Sequence, residues 1–378
     1  MTDNGKPFFS ILLPTKNRSE IVHNAIDSVI SQDFSDFELV IADNDDTDKT
    51  AIVVNGYTDE RIKYHRTGQM SMSENWNYAY SKSRGKYILL IEDKYIIKPH
   101  ALEILRQYID KYNPEVVSWR LNPVSLEKKG CRNITGVSTP KIYSSDELLN
   151  WFFEMKFFIY WRFFHTIPRG SNSCISRDLY EAIVDKTSVL CMDNAPDFTQ
   201  GYQILFNCDK ILNLDLTLYG IFTQNKKYSI GALHDSGSLD SAKNELNSKS
   251  TSITVIKYQP VNIAYSLTII VEDFIRISEL YNAGYSFKNF NESNYYTNLY
   301  ENIIYRQIES ERSGRAYFIF LRRTIKDTIK AKKPAGRRLI LLKCRVLDIA
   351  YYPLSLILSL YRIYQKGKNF RVYKCNPD

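Results

Sequence analysis

Two adjacent carboxylates and a lysine, Glu92, Asp93 and Lys94, follow directly after the apolar run YILLI at positions 87–91. Carboxylate oxygens at the end of a strand are the ligands that Mg²⁺ and Mn²⁺ prefer, and such an ion can bridge a pair of phosphates. A lysine beside them is a cation that a metal site would normally avoid. The segment therefore leaves three interpretations open: a metal site, a modified phosphate site or a polar strand end.

Three more polar clusters occur beside predicted strands and helices. One contains Pro14, Thr15 and Arg18, another is the acidic segment 43–48, and the third is the segment 73–77. A helix cap or a solvated loop would explain any one of them taken alone. The chain lacks G-x-G-x-x-G after its first strand and lacks G-x-x-x-x-G-K-[ST] altogether, which argues against a Rossmann dehydrogenase and a P-loop enzyme.

Strands and helices alternate over the first 120 residues and would position these clusters. Continuous apolar runs separated by helices are typical of parallel strands covered on both faces, so the sequence predicts an α/β fold with a mostly parallel sheet. Ligands are expected at the carboxyl ends of such strands, where all four clusters would meet. The predicted strands are 8–13, 37–42, 61–65 and 87–91, and the predicted helices are 19–31, a helix from about 47, and 73–83.

The order of these motifs resembles the opening of family 2 glycosyltransferases, which have the GT-A fold. The resemblance rests on FFSILLPTKNRSEIVHNAIDSVISQDFSDFELVIADNDDTDKT at 8–50 and on SMSENWNYAYSKSRGKYILLIED at 71–93. It is close over residues 8–105 and extends loosely to about 231. The resemblance implies a nucleotide-sugar donor and inverting transfer of a sugar to an acceptor hydroxyl.

The resemblance also implies roles on the nucleotide side. Asp43 would accept a hydrogen bond from the base, most often from uracil N3–H. The family's D-x-D motif is altered here, because Glu92 takes its first acidic position and Lys94 its second. Asp93 would then hold Mn²⁺ or Mg²⁺, or Lys94 would offset the diphosphate charge directly and make the metal dispensable. The residues implied for nucleotide binding are Pro14, Thr15, Arg18, Asp43, Asn75, Glu92 and Asp93.

A general base is expected on a helix in the second half of the family domain, preceding an apolar helical stretch. Asp197 and Asp193 both fit, and Pro196 at a helix start favours Asp197. Either residue could instead be a helix cap or a charge stabilised by the helix dipole. The remaining implied residues are Ser171, Asn172 and Ser173 for the acceptor, Lys226 for the diphosphate and His234 as a further metal ligand.

The chain divides into a predicted catalytic domain and two further regions. The GT-A domain would span 1–235, with a nucleotide-sugar half (1–120) and an acceptor half (121–235) that begins with a loop-like stretch at about 122–139. A helical accessory region is predicted over 250–310, and a basic amphipathic tail over 311–378. Residues 311–378 carry 17 Lys and Arg against 4 Asp and Glu, a balance of +13, so residues 1–310 carry −5 of the total +8.

The basic tail requires an anionic partner. Its longest uncharged apolar run, 349–361, is shorter than the roughly 20 residues of a membrane-spanning helix, and Pro353 interrupts it. Flanking Lys, Arg and Tyr favour a helix lying in the headgroup plane of an anionic leaflet. A helix packed on the catalytic domain, with a solvated basic face, is the alternative. Nucleic-acid binding is disfavoured because the tail has no recognisable recognition fold.

These patterns predict an inverting glycosyltransferase that moves a sugar from a UDP-sugar to a glycan or polyprenyl-linked acceptor in surface polysaccharide synthesis, such as O-antigen or capsule. A catalytically impaired GT-A-like scaffold recruited to membranes is the alternative. The six cysteines show no C-x-x-C pair, which is typical of reduced cytosolic thiols. The expected location is cytoplasmic and peripheral, at the inner face of the plasma membrane.

Overall fold

The chain folds around one large mixed sheet with helices on both faces. The structure is a computed structural model and describes residues 5–125, 139–155, 166–221, 257–261, 266–309 and 315–350. All statements below refer to these residues.

The described part of the chain contributes nine strands to this sheet. Their order is β3-β2-β1-β4-β8-β6-β9-β5, with β7 also paired to β9. Strands β1 to β4, β6 and β9 run in one direction and the others run against them. The strands are β1 (Phe9–Thr15), β2 (Phe37–Asp43), β3 (Ile62–Arg66), β4 (Tyr87–Leu90), β5 (Tyr95–Ile97), β6 (Val116–Ser125), β7 (Lys141–Ser144), β8 (Ser173–Ser176) and β9 (Lys210–Ile221).

The predicted α/β class with a mostly parallel sheet and a C-terminal helical region is confirmed. Residues 337–350, at the C-terminal end of the described part of the chain, are also helical. The helices are α1 (Ser19–Ile30), α2 (Lys49–Val54), α3 (Met72–Lys82), α4 (Ala101–Tyr112), α5 (Ser145–Glu154), α6 (Arg177–Thr187), α7 (Pro196–Asn207), α8 (Ser266–Leu280), α9 (Glu292–Glu309) and α10 (Arg315–Lys332).

One predicted loop is partly wrong. The sequence predicts a loop from about 122, whereas β6 continues to Ser125. Pairing with β9 supports this extension, and two irregularities in register occur along it, between Trp119 and Leu121 and between Asn122 and Ser125. Bulges of this kind accommodate a proline such as Pro123, which cannot donate to the ladder.

Two apolar cores cover the two faces of the sheet. Successive residues of β1 alternate between them: Leu12 belongs to one core, while Ile11 and Leu13 belong to the other. The core that contains Leu12 continues through α8, α9 and α10 to Ile340 and Cys344, which are fully buried. The C-terminal helices, including the first part of the predicted basic tail, therefore pack onto one of the two cores of the sheet.

Membrane crossing was not predicted for this chain. Among the described residues, the helices are either too short or too polar to span a bilayer.

Candidate active site

The carboxyl ends of β1, β2 and β4 bring the predicted nucleotide-side residues to one edge of the sheet. Thr15 pairs in register with Asp43 on the neighbouring strand. The Thr15 hydroxyl donates a 2.8 Å hydrogen bond to Asp93 Oδ2 on the other side. Asp43 and Asp93 thus flank Thr15 at the same edge, which is what parallel strands with polar ends are expected to produce.

Asp93 is buried and ion-paired. Its Oδ1 lies 2.5 Å from the Arg18 guanidinium, and only 2% of its side chain is exposed against 20% for Arg18. Burial raises the pKa of Asp93, while Arg18 and Thr15 act against that shift by stabilising the carboxylate. Arg18 therefore balances a charge that would otherwise be costly to bury.

Glu92 and Lys94 form a second ion pair beside the first, with 2.7 Å between Glu92 Oε2 and Lys94 Nζ. Burial acts to raise the pKa of Glu92, but Lys94 and then Arg18 and Arg169 more than offset it, so the pKa is lowered. For Lys94, burial acts to lower the pKa and the Glu92 carboxylate reverses the effect, so the pKa is raised. Lys94 is thus a stable cation at the strand end.

The carboxylates of Asp93 and Glu92 are already engaged by other side chains in this conformation. Both oxygens of Asp93 are engaged, by Arg18 and by Thr15, and Glu92 is paired with Lys94. A divalent ion needs several oxygen ligands with uncommitted lone pairs. Within the ranges described above, no group of three or more His, Cys, Asp or Glu side chains is placed to hold a metal. The predicted further ligand His234, like the predicted diphosphate residue Lys226, lies outside the described residues.

Asp43 is fully buried, and two groups already occupy its carboxylate. Tyr64 donates a 2.6 Å hydrogen bond to Oδ2, and the Asp45 backbone N–H donates to Oδ1 at 2.9 Å. Burial raises the pKa of Asp43, with these hydrogen bonds acting against the shift. Tyr64 was missed by sequence reasoning because a tyrosine in a short strand gives no sign of a carboxylate partner 21 residues earlier.

Asn75 and its neighbours on α3 hold the end of β2. The Asn75 amide donates to the Ala42 carbonyl at 3.0 Å and accepts from the Thr67 hydroxyl at 2.8 Å. A capping box starts this helix, in which the Ser71 hydroxyl accepts from the Glu74 N–H and the Glu74 carboxylate accepts from the Ser71 N–H. The contacts of segment 73–77 are therefore largely structural. Pro14, another residue predicted to bind the nucleotide, is buried within β1.

The predicted base Asp197 lies in the first turn of α7 and is ion-paired with Arg169. Arg169 is only 9% exposed, and its guanidinium carbon lies 4.4 Å from the centroid of the Phe198 ring. Arg169 also acts electrostatically on Glu92. Sequence reasoning missed Arg169, although it lies only two residues before Ser171, the first of the three residues predicted to bind the acceptor.

The sheet rim is defined here as Thr15, Arg18, Glu92, Asp93, Lys94, Arg169 and Asp197. Tyr95 connects its two ends, because Glu92, Lys94, Arg169 and Asp197 all influence its hydroxyl. Burial first, and Glu92 next, raise the pKa of Tyr95 to about 12. The charges at the predicted nucleotide end and at the predicted base end therefore act on one shared neighbour, Tyr95.

Gly170 allows the close approach of Asp197 to the loop before β8. Its φ is +44°, and a Cβ built there would lie 3.1 Å from Asp197 Cβ and 3.6 Å from the Trp76 ring. A side chain at this position would meet both strain and crowding.

The residues predicted to bind the acceptor are buried. The Glu92 N–H donates to the Ser171 hydroxyl at 3.2 Å, and the Asn172 amide donates to the Trp119 and Ile167 carbonyls. The Ser173 hydroxyl has no hydrogen-bond partner in the described part of the chain. In this conformation Ser171 and Asn172 connect the loop to the strand ends rather than facing solvent.

Asp193, the other candidate base, accepts a hydrogen bond from the Ser73 hydroxyl and lines a groove of about 680 Å³. The groove lies between α3, the segment 189–193 and α8. Arg276 of α8 donates to the Asp193 carbonyl at 3.0 Å. The neighbouring Asp273 is buried and accepts from the Asn194 amide at 2.8 Å and from the Ala195 N–H at 3.1 Å. The C-terminal helices thus fix the segment that precedes the helix of Asp197.

A comparison with protein families finds that residues 10–182 match the model of Glycosyl transferase family 2. A curated relative from Campylobacter jejuni, GalNAc(5)-diNAcBac-PP-undecaprenol beta-1,3-glucosyltransferase, is 30% identical over 105 residues, which are 27% of this chain and 34% of the relative. Poly(ribitol-phosphate) beta-N-acetylglucosaminyltransferase TarS of Staphylococcus aureus is 24% identical over 148 residues, 36% of this chain and 26% of TarS. These matches span only about a third of the relatives' length.

Among solved structures, residues 1–349 of S. aureus TarS in complex with UDP-GlcNAc align over 85% of this chain and 88% of that one, with 15% identity and a TM-score of 0.46. The family match covers the strands and helices that carry the nucleotide-side residues. The resemblance to family 2 glycosyltransferases predicted from the sequence is confirmed over residues 10–182. Residues 10–182 are a domain of the glycosyl transferase family 2.

Proposed function

We propose that this protein is an inverting glycosyltransferase that transfers a sugar from a nucleoside diphosphate sugar, with UDP as the expected nucleotide, to an acceptor hydroxyl. The observation that carries the proposal is the convergence of the sheet rim in a family 2 domain: nucleotide-side residues at one end and a carboxylate on a helix start at the other. A donor bound along this rim would lie between a leaving-group site and a base.

Asp197 would act as the base. In-line attack on the anomeric carbon requires loss of the acceptor proton as the new bond forms and the bond to the diphosphate breaks. Asp197 is 28% exposed, so an acceptor can reach it, and Arg169 fixes its orientation. Because Arg169 is a cation, we expect it to shift partly toward the bound diphosphate and so to leave Asp197 free to accept the proton.

Arg18 and Lys94 would offset the charge that develops on the leaving diphosphate. About a fifth of each side chain is exposed at the rim, 20% for Arg18 and 19% for Lys94. The described carboxylates are already paired, so we derive no step through a metal ion. Measuring donor turnover with Mn²⁺, with Mg²⁺ and with a chelator tests directly whether residues outside the described ranges complete a metal site.

The acceptor is proposed to be a glycan or a polyprenyl-linked glycan, in the synthesis of a surface polysaccharide at the cytoplasmic face of a membrane. The name of the Campylobacter relative, which includes PP-undecaprenol, supports this class of acceptor. The groove beside Asp193, with hydroxyl, carboxylate and guanidinium groups on its walls, is a suitable place for acceptor hydroxyls.

Release of UDP from a panel of UDP-sugars tests the proposal, with NMR of the product's anomeric configuration to test inversion. We expect turnover with at least one donor, and loss of turnover in Asp197→Asn with UDP binding retained. Absence of UDP release across the panel, with and without Mn²⁺, would contradict the enzymatic proposal. Calorimetry then separates an inactive scaffold that still binds UDP from a protein that does not.

A further inference from the structure

The helix at 337–350 has two different apolar faces. Ile340 and Cys344 are buried in the core. On the opposite side, four large side chains are exposed at the spacing i, i+3, i+7 and i+10, which aligns them along one face. This apolar stripe consists of Leu339 (54% exposed), Leu342 (54%), Val346 (56%) and Ile349 (75%).

Cations border the apolar stripe on both sides. Arg338 and Arg345 lie along one edge of it and Lys343 along the other, and all three are exposed. The only acid in 337–350 is Asp348, and it is engaged on the inner side of the helix. It accepts from the Tyr300 hydroxyl at 2.6 Å and from Arg322 at 2.9 Å, and it pairs with Lys326. The residues that this helix itself exposes on its outer face are therefore apolar or positively charged, and Glu301 of α9 interacts electrostatically with Lys343 at one edge.

We propose that the apolar stripe and its bordering cations bind the surface of an anionic bilayer, with Leu342 and Val346 near the centre of the contact. Apolar side chains flanked by Lys and Arg on a helix lying parallel to the membrane match the boundary between acyl chains and anionic headgroups. Charge complementarity selects this occupant over an apolar protein surface. Further along the sequence, the apolar run 349–361 is followed by the cations Arg362, Lys366 and Lys368.

Vesicle flotation of the full chain tests this inference independently of sugar transfer. We expect the wild-type protein to float with phosphatidylcholine vesicles that contain about one third phosphatidylglycerol, and far less with phosphatidylcholine alone. The double variant Leu342→Ser/Val346→Ser should reduce partitioning about tenfold or more, because both apolar anchors are lost. The matched control is Ile52→Ser/Ile142→Ser, which removes two exposed apolar side chains elsewhere (70% and 58% exposed) and should leave flotation unchanged.

The cations are tested separately. Arg338→Gln/Arg345→Gln should lower partitioning at low salt by about fivefold per charge, and high salt should reduce the wild type similarly. Equal flotation of wild type and the Leu342/Val346 variant would overturn the inference, as would absence of wild-type binding to anionic vesicles. A wild-type dimer that dissociates in this variant would instead assign the stripe to a second copy of the chain. Thermal unfolding midpoints confirm that the variants fold.

Discussion

The sheet rim and the C-terminal apolar stripe use charge in opposite ways. At the rim, Asp93 is almost completely buried, and its charge is balanced by Arg18 within 2.5 Å. On the helix at 337–350, Arg338, Lys343 and Arg345 are exposed beside exposed apolar side chains, while the one acid is held inward by α10. The charged side chains of the rim form ion pairs with one another. The charged side chains that the helix at 337–350 exposes on its outer face are all positive.

This difference separates two kinds of consequence. Removing one partner of a buried pair leaves an uncompensated charge, so the rim should be sensitive in both stability and chemistry. Removing an exposed cation changes long-range attraction and has little effect on folding. If sugar transfer depends on the sheet rim and membrane binding depends on the helix at 337–350, as proposed, a variant can lose one of these functions and keep the other.

The largest expected effect is at Asp197. Asp197→Asn should lower turnover of the accepted donor about a thousandfold, because a general base contributes roughly 10²- to 10⁴-fold. The measurement is the rate of UDP release at saturating donor, with UDP affinity from calorimetry as the control for an intact donor site. Asp193→Asn is the matched variant; because Asp193 lines the proposed acceptor groove, we expect it to weaken acceptor binding and to retain most turnover at saturating acceptor. The reverse order of the two variants would move the base to Asp193.

The stability of the rim comes next. Arg18→Met should lower the free energy of unfolding by about 3 kcal/mol, since it strands the buried Asp93 carboxylate. The double variant Arg18→Met/Asp93→Asn should recover most of that loss. Urea denaturation measures all three proteins.

The exposed pair Arg106–Asp110 is the control for this comparison, with side chains 31% and 55% exposed. Asp110→Asn, which removes the ion pair and leaves the Arg106 guanidinium over the Phe8 ring, should change stability by less than about 0.5 kcal/mol. If Arg18→Met is equally mild, the rim is not a buried charge network and the contrast between the two regions fails.

A pH dependence links the C-terminal helices to the segment before α7. Burial raises the pKa of Asp273 to about 7, with Arg276 and the Asn194 amide acting against the shift. The folded state therefore holds a proton that the unfolded chain releases near pH 4. The stabilisation due to this proton is complete below about pH 4 and is lost as the pH rises through 7.

Asp273→Asn removes this titration. Between pH 5 and pH 8 the wild type should lose about 2 to 3 kcal/mol of unfolding free energy relative to the variant. Urea midpoints at the two pH values measure the difference. A constant difference between the two proteins would show that Asp273 is ionised throughout this range.

The smallest expected effect concerns Gly170. Gly170→Ala should cost about 1 kcal/mol for its positive φ, as should the control Gly284→Ala, whose φ is +77° and which has no atom within 4 Å of the new Cβ. Only Gly170→Ala pushes against Asp197, so only this variant should also lose activity, by about tenfold. Equal activity of both variants would show that Asp197 tolerates displacement.

The strands and helices between residues 8 and 91 were predictable because their signals are local, whereas β5 and β6, which begin within the first 120 residues, were not predicted. The runs that became β1, β2 and β4 are mostly apolar, and helix α1 ends one residue from its predicted end. Their parallel arrangement then places Thr15, Asp43 and Asp93 at one edge by geometry alone.

The partners of these residues were not predictable. Arg169 reaches Asp197 across 28 residues, and Tyr64 reaches Asp43 across 21. Asp273 reaches Asn194 across 79. No periodicity or spacing encodes such pairs, because they depend on how loops and the C-terminal helices pack after the strands have formed. The contact of Arg18 with Asp93 is tertiary in the same way, so nothing in the sequence indicates that the predicted metal ligand Asp93 is ion-paired.

A crystal structure of the protein soaked with UDP tests the central claim most directly. We expect the diphosphate to lie within hydrogen-bonding distance of Arg18 or Lys94 at the ends of β1 and β4, with the uracil toward Asp43 and Asp197 facing the position of the missing sugar. UDP bound away from this edge, or a rim whose ion pairs remain closed at saturating UDP, would contradict the proposed enzyme.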